Sequence, residues 1–403
     1  MEYTLLSSLF YQDKTKYEQT YQNRINSEST YKLDFTINEF PAFVMITHEI
    51  LENIQKIFEL NSKLNILEYR LPPLAINQYT KKCLVDEIKK TNDIESVYNT
   101  KKEIKRILNS PNTTKKNRFW GLVIKYEKII KGEKIDLKTC SDIRKLYDEL
   151  ALNDVLANDP NNMPDGELFR TEPVFVRGSG KIIHEGMHPE NKIIEALSSG
   201  LMFLNDESYN FIIRIAVFHY MFGYIHPFYD GNGRMSRFIS SYLLSQKLNK
   251  LVSLRLSYTI KNKQGSYYKM FKVSNDEKNK GDLTYFVIRF LELIIESIED
   301  LISALSFKSV KLAYYQDICK KSFGTNKKLV ILTFVFVQNE LFDDDPLDFK
   351  SLNYILNSSD NFKIGESTLR DLLKQLENQD ILIVDKTHGK YTYRIDLDKL
   401  ENL

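Results

Sequence analysis

Apolar residues recur at three- and four-residue spacing through much of the chain, and that period predicts helices. From about residue 40 to 130 two runs carry it, FVMITHEILENIQKIFELNSKL and YTKKCLVDEIKKTNDIESVYNTKKEIKRIL. The turn-rich LNSPNTTKKN, residues 108–117, separates these from a further helix, FWGLVIKYEKIIKG. Residues 131–155 read as one more helical stretch. Residues 1–44 are polar and weakly periodic, and most of them support no assignment. Between 156 and 190 the pattern changes, with four prolines and four glycines. There PVFVRGSGKIIH reads as a hairpin, two β-prone runs around Gly-Ser-Gly. Helical periodicity returns from 191 to about 306. Its most apolar part, FIIRIAVFHYMFGYI at 211–225, is broken by Arg214 and His219. It predicts a buried core helix, not a membrane span.

The last 80 residues read as a separate unit. KKLVILTFVFVQ, SLNYILN and ESTLRDLLKQLENQD predict three helices, with a loop at 339–346. ILIVDKTHGKYTYRIDL predicts two strands around a His-Gly turn. Three helices followed by a hairpin is a winged-helix pattern. The expected organisation is therefore mainly α in three parts: a helical region at 1–134, a helical core at 135–300 and a winged-helix domain at 310–403.

Charge and cysteine content narrow the function classes. The formal net charge of +2 selects no partner by itself. Residues 325–403 carry ten Lys/Arg against fourteen Asp/Glu, so the C-terminal unit is a poor match for DNA. A protein contact or a homodimer is the role its charge permits. Residues 81–118 are basic, with eleven Lys/Arg against five acids. Cys83, Cys140 and Cys319 lie far apart and form no CxxC pair, which fits reduced thiols in the cytoplasm. The N-terminal MEYTLLSSLFYQDK has no basic n-region and reads as no signal peptide.

Two short patterns mislead. HEGMH at 184–188 matches the HExxH zinc-protease pattern, but Gly186 and Pro189 argue against the helix that pattern needs. GSGK at 178–181 lacks the earlier glycine of a P-loop, and Ile182 replaces its Ser/Thr. His48, on an apolar helical face, reads as a core or interface residue.

HPFYDGNGRMSR at 226–237 concentrates the chemistry. A buried helix ends near Ile225, a turn follows, and helical pattern resumes at Arg234. Glycines before a helix N-terminus leave backbone N–H groups free at a positive dipole end, an arrangement suited to phosphate. Arg234 and Arg237 share a face and are expected to converge on phosphate oxygens. Asp230 is a hard oxygen ligand suited to Mg²⁺ bridging two phosphates. His226 is the loop residue whose pKa suits taking a proton from a hydroxyl. Together these residues point to phosphoryl or nucleotidyl transfer.

The same segment resembles the Fic motif, HxFx(D/E)GNGRxxR, at every defined position. The helix VFHYMFGYIHPF before it and SYYKMFKVSNDEKNKGDLTYFVIRFLELI after it are also similar to that family, so the resemblance spans roughly 135–295. It implies a Fic-type helical core with a short β-hairpin flap, moving AMP from ATP to a Ser, Thr or Tyr hydroxyl of a target protein. By resemblance, His226 is the base and Asp230 holds Mg²⁺ on the α- and β-phosphates. Gly231, Asn232 and Gly233 form the anion hole. Arg234 holds the β-phosphate side, and Arg237 pairs with the γ-phosphate. Tyr267 and Asn275 fall where the family contacts the nucleoside. Ile182, Ile183 and His184 fall at the flap edge that aligns the target by β-augmentation. TNDIES at 91–96 resembles the inhibitory motif (S/T)xxxE(G/N), with Ser96 in place of Gly or Asn. Thr91 and Glu95, spaced i, i+4, share a helix face. Transfer of UMP, phosphocholine or phosphate remains open on the sequence, as does a nucleotide-sensing winged-helix regulator.

Overall fold

The computed structural model describes residues 3–178, 181–343, 345–358, 362–387 and 390–403. The Ser179-Gly180 turn of the expected hairpin and the His388-Gly389 turn of the C-terminal one lie outside these residues. The chain is mainly helical and divides into two compact units, residues 1–64 with 84–301, and residues 65–83 with 302–403.

The first unit opens with α1 (Leu6–Gln12) and α2 (Lys14–Ile25), then an antiparallel pair, β1 (Thr30–Ile37) and β2 (Phe40–Met45). The helical reading from residue 40 is thus corrected at its start, because 40–45 are strand. The N-terminal elements escaped the periodicity because each buries only a few side chains. Leu6, Leu9, Tyr17, Tyr21 and Phe43 form one apolar cluster. A buried ion pair holds α2 in place, Arg24 Nη1 to Asp282 Oδ2 at 2.9 Å.

The chain continues through α3 (His48–Tyr69), α4 (Pro73–Ile94), α5 (Lys101–Asn109), α6 (Trp120–Lys131), α7 (Cys140–Leu150) and α8 (Leu152–Asn158). The stretch 131–155 is therefore not one helix. A loop precedes α7, and the chain breaks again at Ala151, which separates α7 from α8. His48 is exposed and pairs with Glu52 at 3.1 Å, so it is not a core histidine. The hairpin β3 (Phe175–Gly178) and β4 (Lys181–Glu185) follows in antiparallel register. HEGMH therefore lies partly on a strand rather than on a helix.

Next come α9 (Glu190–Asn205), α10 (Phe211–Ile225), α11 (Asn232–Ser245), α12 (Lys250–Ser253), α13 (Leu256–Asn262), α14 (Gln264–Ser274) and α15 (Thr284–Phe323). Helix α15 extends well past the expected end near 306. Helix α10 is buried almost all round and packs against α9 and α11. An apolar helix with no polar stripe has no solvent face to present, so it forms the centre of this unit.

The second unit holds α16 (Lys327–Phe342), β5 (Leu347–Asp348), α17 (Phe349–Asn357), α18 (Glu366–Asn378), β6 (Leu382–Thr387), β7 (Lys390–Ile395) and α19 (Leu397–Glu401). Its sheet has the order β5-β7-β6. Strand β5 and helix α19 are too short to leave a period in the sequence. Helix α16 also runs further into the segment read as a loop.

Candidate active site

The turn between α10 and α11 is built from backbone conformations that the sequence only hints at. His226 ends α10 in the left-handed region, φ 54°, and its N–H donates to Phe222 O. Gly231 precedes α11 with φ 82°, a conformation a side chain would strain. Asn232 staples the turn: its Nδ2 donates to Phe228 O at 2.7 Å, and its Oδ1 accepts from Phe228 N at 2.9 Å. Helix α11 starts at Asn232, two residues earlier than the apolar pattern showed. Its first turn therefore presents the N–H groups of the GNG segment.

His226 Nδ1 lies 3.3 Å from Gly223 O. A carbonyl can only accept, so that nitrogen carries the proton and Nε2 keeps its lone pair. Burial pushes the His226 pKa down to about 4; His184 and Arg170 push the same way, and the Gly223 contact and Glu95 oppose them. The imidazole is thus neutral near pH 7 and able to accept a proton.

The two loop arginines do not converge on one point. Both are almost fully buried. Arg234 Nη1 bonds Asp154 Oδ2, while its Nη2 lies 3.8 Å from Asp230 Oδ2. Its Nε and Nη2 make no hydrogen bond. Arg237 turns instead to α4 and the residue after it. Its Nε donates to Thr91 Oγ1 and its Nη2 to Thr91 O, both at 2.9 Å, and Nη2 pairs with Glu95 Oε1 at 2.8 Å. Burial works against the Arg237 charge, but Glu95 together with Tyr267 and Tyr126 outweighs it and the pKa rises. A Cβ on Gly233 would overlap Glu95 Oε1 and come within 2.9 Å of Arg237 Nη1. The Glu95 carboxylate therefore rests on the first turn of α11.

Glu95 reaches that position through the way α4 ends. Val97 N–H donates to Asn92 O at 3.0 Å and Ser96 N–H to Asp93 O at 3.4 Å, with Ser96 at φ 58°. This is a Schellman end with Ser96 at its left-handed position, where Gly or Asn is easiest. Lys261 Nζ donates to Asp93 O at 2.8 Å and anchors the same turn. One helical step back, Glu87 is fully buried and accepts from Ser257 N and Tyr258 N. Glu87, Thr91 and Glu95 follow one i, i+4 stripe along α4 and the residue after it, a spacing visible in the sequence.

Asp230 is the half-buried carboxylate of the turn, with its side chain 38% accessible. Its Oδ1 accepts from Gly231 N. Tyr267 is buried, and its hydroxyl lies 2.8 Å from His219 Nε2. In this structure Tyr267 belongs to the core network under Arg237, while the neighbouring Tyr268 is exposed. Asn275 Oδ1 accepts from Tyr220 OH at 2.7 Å. Ile182 and Ile183 are exposed on β4. His184 turns back to the end of α10, its Nε2 lying 2.6 Å from Tyr224 O. Asp154 and Arg170 were missed by the sequence reading because each is a lone charged residue outside any motif.

The buried His219 and the half-buried His226 set a pH dependence of stability. Burial pushes His219 down to about 3 and His226 down to about 4. Unfolded histidine titrates near ~6.5. Above that value neither state binds the proton. As pH falls below it, the unfolded chain takes up protons that the folded chain refuses, so stability is lost until the folded pKa is reached. Between pH 7 and 5, His226 alone should cost about 2 kcal/mol. Chemical unfolding at the two pH values is expected to show a smaller acid loss for His226→Ala than for wild type. An identical loss would contradict the buried neutral state.

Residues 139–244 match the Fic/DOC family model. The proteins named protein adenylyltransferase fic-1 from Caenorhabditis elegans and Caenorhabditis briggsae are each 29% identical over 178 residues, 42% of this chain and 32% of the relative. The match thus spans about a third of those relatives. A crystal structure of a Fic family protein from Desulfovibrio desulfuricans G20 superposes with a TM-score of 0.53 at 18% identity, covering 87% of this chain and 97% of that one. That likeness concerns the fold. Among the described residues, no helix is long and apolar enough to cross a membrane.

Proposed function

The chain belongs to the Fic/DOC family through residues 139–244, and from that premise we propose that it is a protein adenylyltransferase held in check by Glu95. It moves AMP from ATP to a hydroxyl of a target protein and of itself. The observation that carries this reading is the Glu95 carboxylate lying on the α11 N-terminus while paired with Arg237. A site that holds a carboxylate with a helix N-terminus and an arginine is chemically suited to a phosphate.

In this reading the α11 N-terminus and Arg234 hold the phosphates. The unbonded Nε and Nη2 of Arg234 are buried donors awaiting an acceptor. Arg237 pairs with the γ-phosphate once Glu95 withdraws. His226 Nε2 takes the proton of the attacking hydroxyl. The residues also fit Mg²⁺: Asp230 offers one solvent-accessible carboxylate, and Mg²⁺ is commonly held by one or two carboxylates with substrate phosphates and water. The ion would supply charge neutralisation at the phosphates. Tyr267 is proposed as a support for the nucleoside side and Asn275 as a contact to it. The exposed Ile182 and Ile183 edge, with His184 behind it, receives the target segment. The acidic C-terminal unit serves as a winged-helix module for protein contact or dimerisation.

Incubation of Glu95→Gln protein with α-³²P-labelled ATP, UTP and GTP in Mg²⁺ tests the reading. Self-labelling from ATP above that from the other donors is expected. Labelling from UTP alone would replace AMP by UMP. No transfer from any donor, to itself or to lysate proteins, would remove the nucleotidyltransferase assignment.

A further inference from the structure

Arg170 has none of its accessible surface exposed, and its guanidinium hydrogen bonds all go to backbone carbonyls. Nε donates to His226 O at 2.9 Å. Nη1 donates to Glu172 O at 2.5 Å. Nη2 donates to Met187 O at 2.8 Å and more weakly to Ile225 O at 3.5 Å. The carbonyls come from three places: the chain entering β3, the chain leaving β4, and the end of α10. Backbone bonds run in parallel, from Met187 N to Ile225 O at 3.0 Å and from Arg170 N to Pro227 O at 3.3 Å.

We propose that Arg170 is a positioning residue for the transfer reaction, fixing the His226 backbone to the root of the β3–β4 hairpin. The inference rests on His226 as base and the hairpin edge as target guide. Those two parts must keep one relative geometry, because a misplaced nucleophile loses most of the advantage of being held. Part of the arginine's role is local. The last carbonyls of a helix have no partner within it, and a cation there is favourable. Capping alone would need one or two donors. The guanidinium instead spends a planar fork on both sides of the hairpin and on the catalytic turn, which a lysine cannot reproduce. His226 is a non-glycine residue in the left-handed region, a conformation that persists only where its surroundings enforce it. Gly186 completes the joint. A Cβ there would come within 2.5 Å of Arg170 Nη2 and 3.0 Å of His226 Cβ, so the hairpin root sits directly on the histidine.

Arg170→Lys and Gly186→Ala, each in full-length Glu95→Gln protein, test the proposal. Turnover, ATP affinity by calorimetry, and the ring resonances of His226 and His219 by NMR are compared. Both variants are expected to lower kcat by about 10²-fold. ATP affinity should stay unchanged, since neither substitution touches α11 or its arginines. The His226 ring resonances should move while those of His219 stay. Unchanged kcat and unchanged His226 resonances in a folded variant would overturn the proposal. So would a parallel loss of ATP affinity, which marks general damage to the fold. If Arg170→Lys does not fold, Gly186→Ala carries the same outcomes. The NMR readout needs no transfer activity. It therefore separates failure of this inference from failure of the adenylyltransferase reading, which shows instead as absence of labelling in the Glu95→Gln parent.

Discussion

His226→Ala is expected to reduce AMP transfer by about 10²–10⁴-fold, the range typical for loss of a general base. The geometry explains why the loss should fall on chemistry. Nδ1 faces the Gly223 carbonyl, which leaves Nε2 as the acceptor. Burial keeps the ring neutral at physiological pH, so the lone pair is available. In the proposed function the groups that hold phosphate are separate: the N–H groups of α11, Arg234 and Arg237 do not depend on the imidazole. ATP affinity measured by calorimetry should therefore change little. The experiment belongs in Glu95→Gln protein, where the parent rate is expected to be measurable. Transfer at nearly the parent rate would remove His226 from the base role, whatever its position in the turn.

Glu95→Gln is expected to raise self-labelling from α-labelled ATP by about 10–100-fold. The Glu95–Arg237 contact is a hydrogen bond between charged groups at 2.8 Å, with Arg237 buried. Bonds to charged groups contribute about 1.5–3 kcal/mol, which sets the scale of the release. Gln keeps the length and helix propensity of Glu while removing the charge that competes with phosphate. Thr91 continues to hold Arg237 through its hydroxyl and carbonyl, so the arginine stays placed in the variant. Adding Arg237→Ala should silence the activated protein, because in the proposed function the released residue is the one that orders the γ-phosphate. Labelling equal to or below wild type in Glu95→Gln would reject inhibition by this carboxylate. The assignment of the 226–237 loop would stand apart from that result.

Motif and period made the 226–237 turn legible because its chemistry is local. Twelve consecutive residues carry the histidine, the glycines, the carboxylate and both arginines. The almost wholly apolar α10 marked itself as core for a similar reason: its sequence leaves no continuous face for water. The segment 91–96 was half legible. The i, i+4 spacing of Thr91 and Glu95 put both on one face, but only the fold brings that face to Arg237, 146 positions away from Thr91. Ser96 looked like a departure from a motif. The left-handed end of α4 shows what that position demands of the backbone.

By itself, then, the sequence determined helix placement over most of the core and the tight turn at 226–237, because period and local motif are written in neighbouring residues. It placed no element over most of residues 1–44, where α1, α2 and the two strands are short and bury few side chains each. Tertiary structure alone decided where the buried charges go. Arg234 and Arg237 share a helix and a spacing that predicted a common target, yet Asp154 takes one and Glu95 with Thr91 takes the other. Arg170 follows the same logic, bonded to carbonyls from three separate stretches of chain. A buried guanidinium must find acceptors wherever the fold supplies them. Those acceptors come from residues distant in sequence, so no local pattern can announce them.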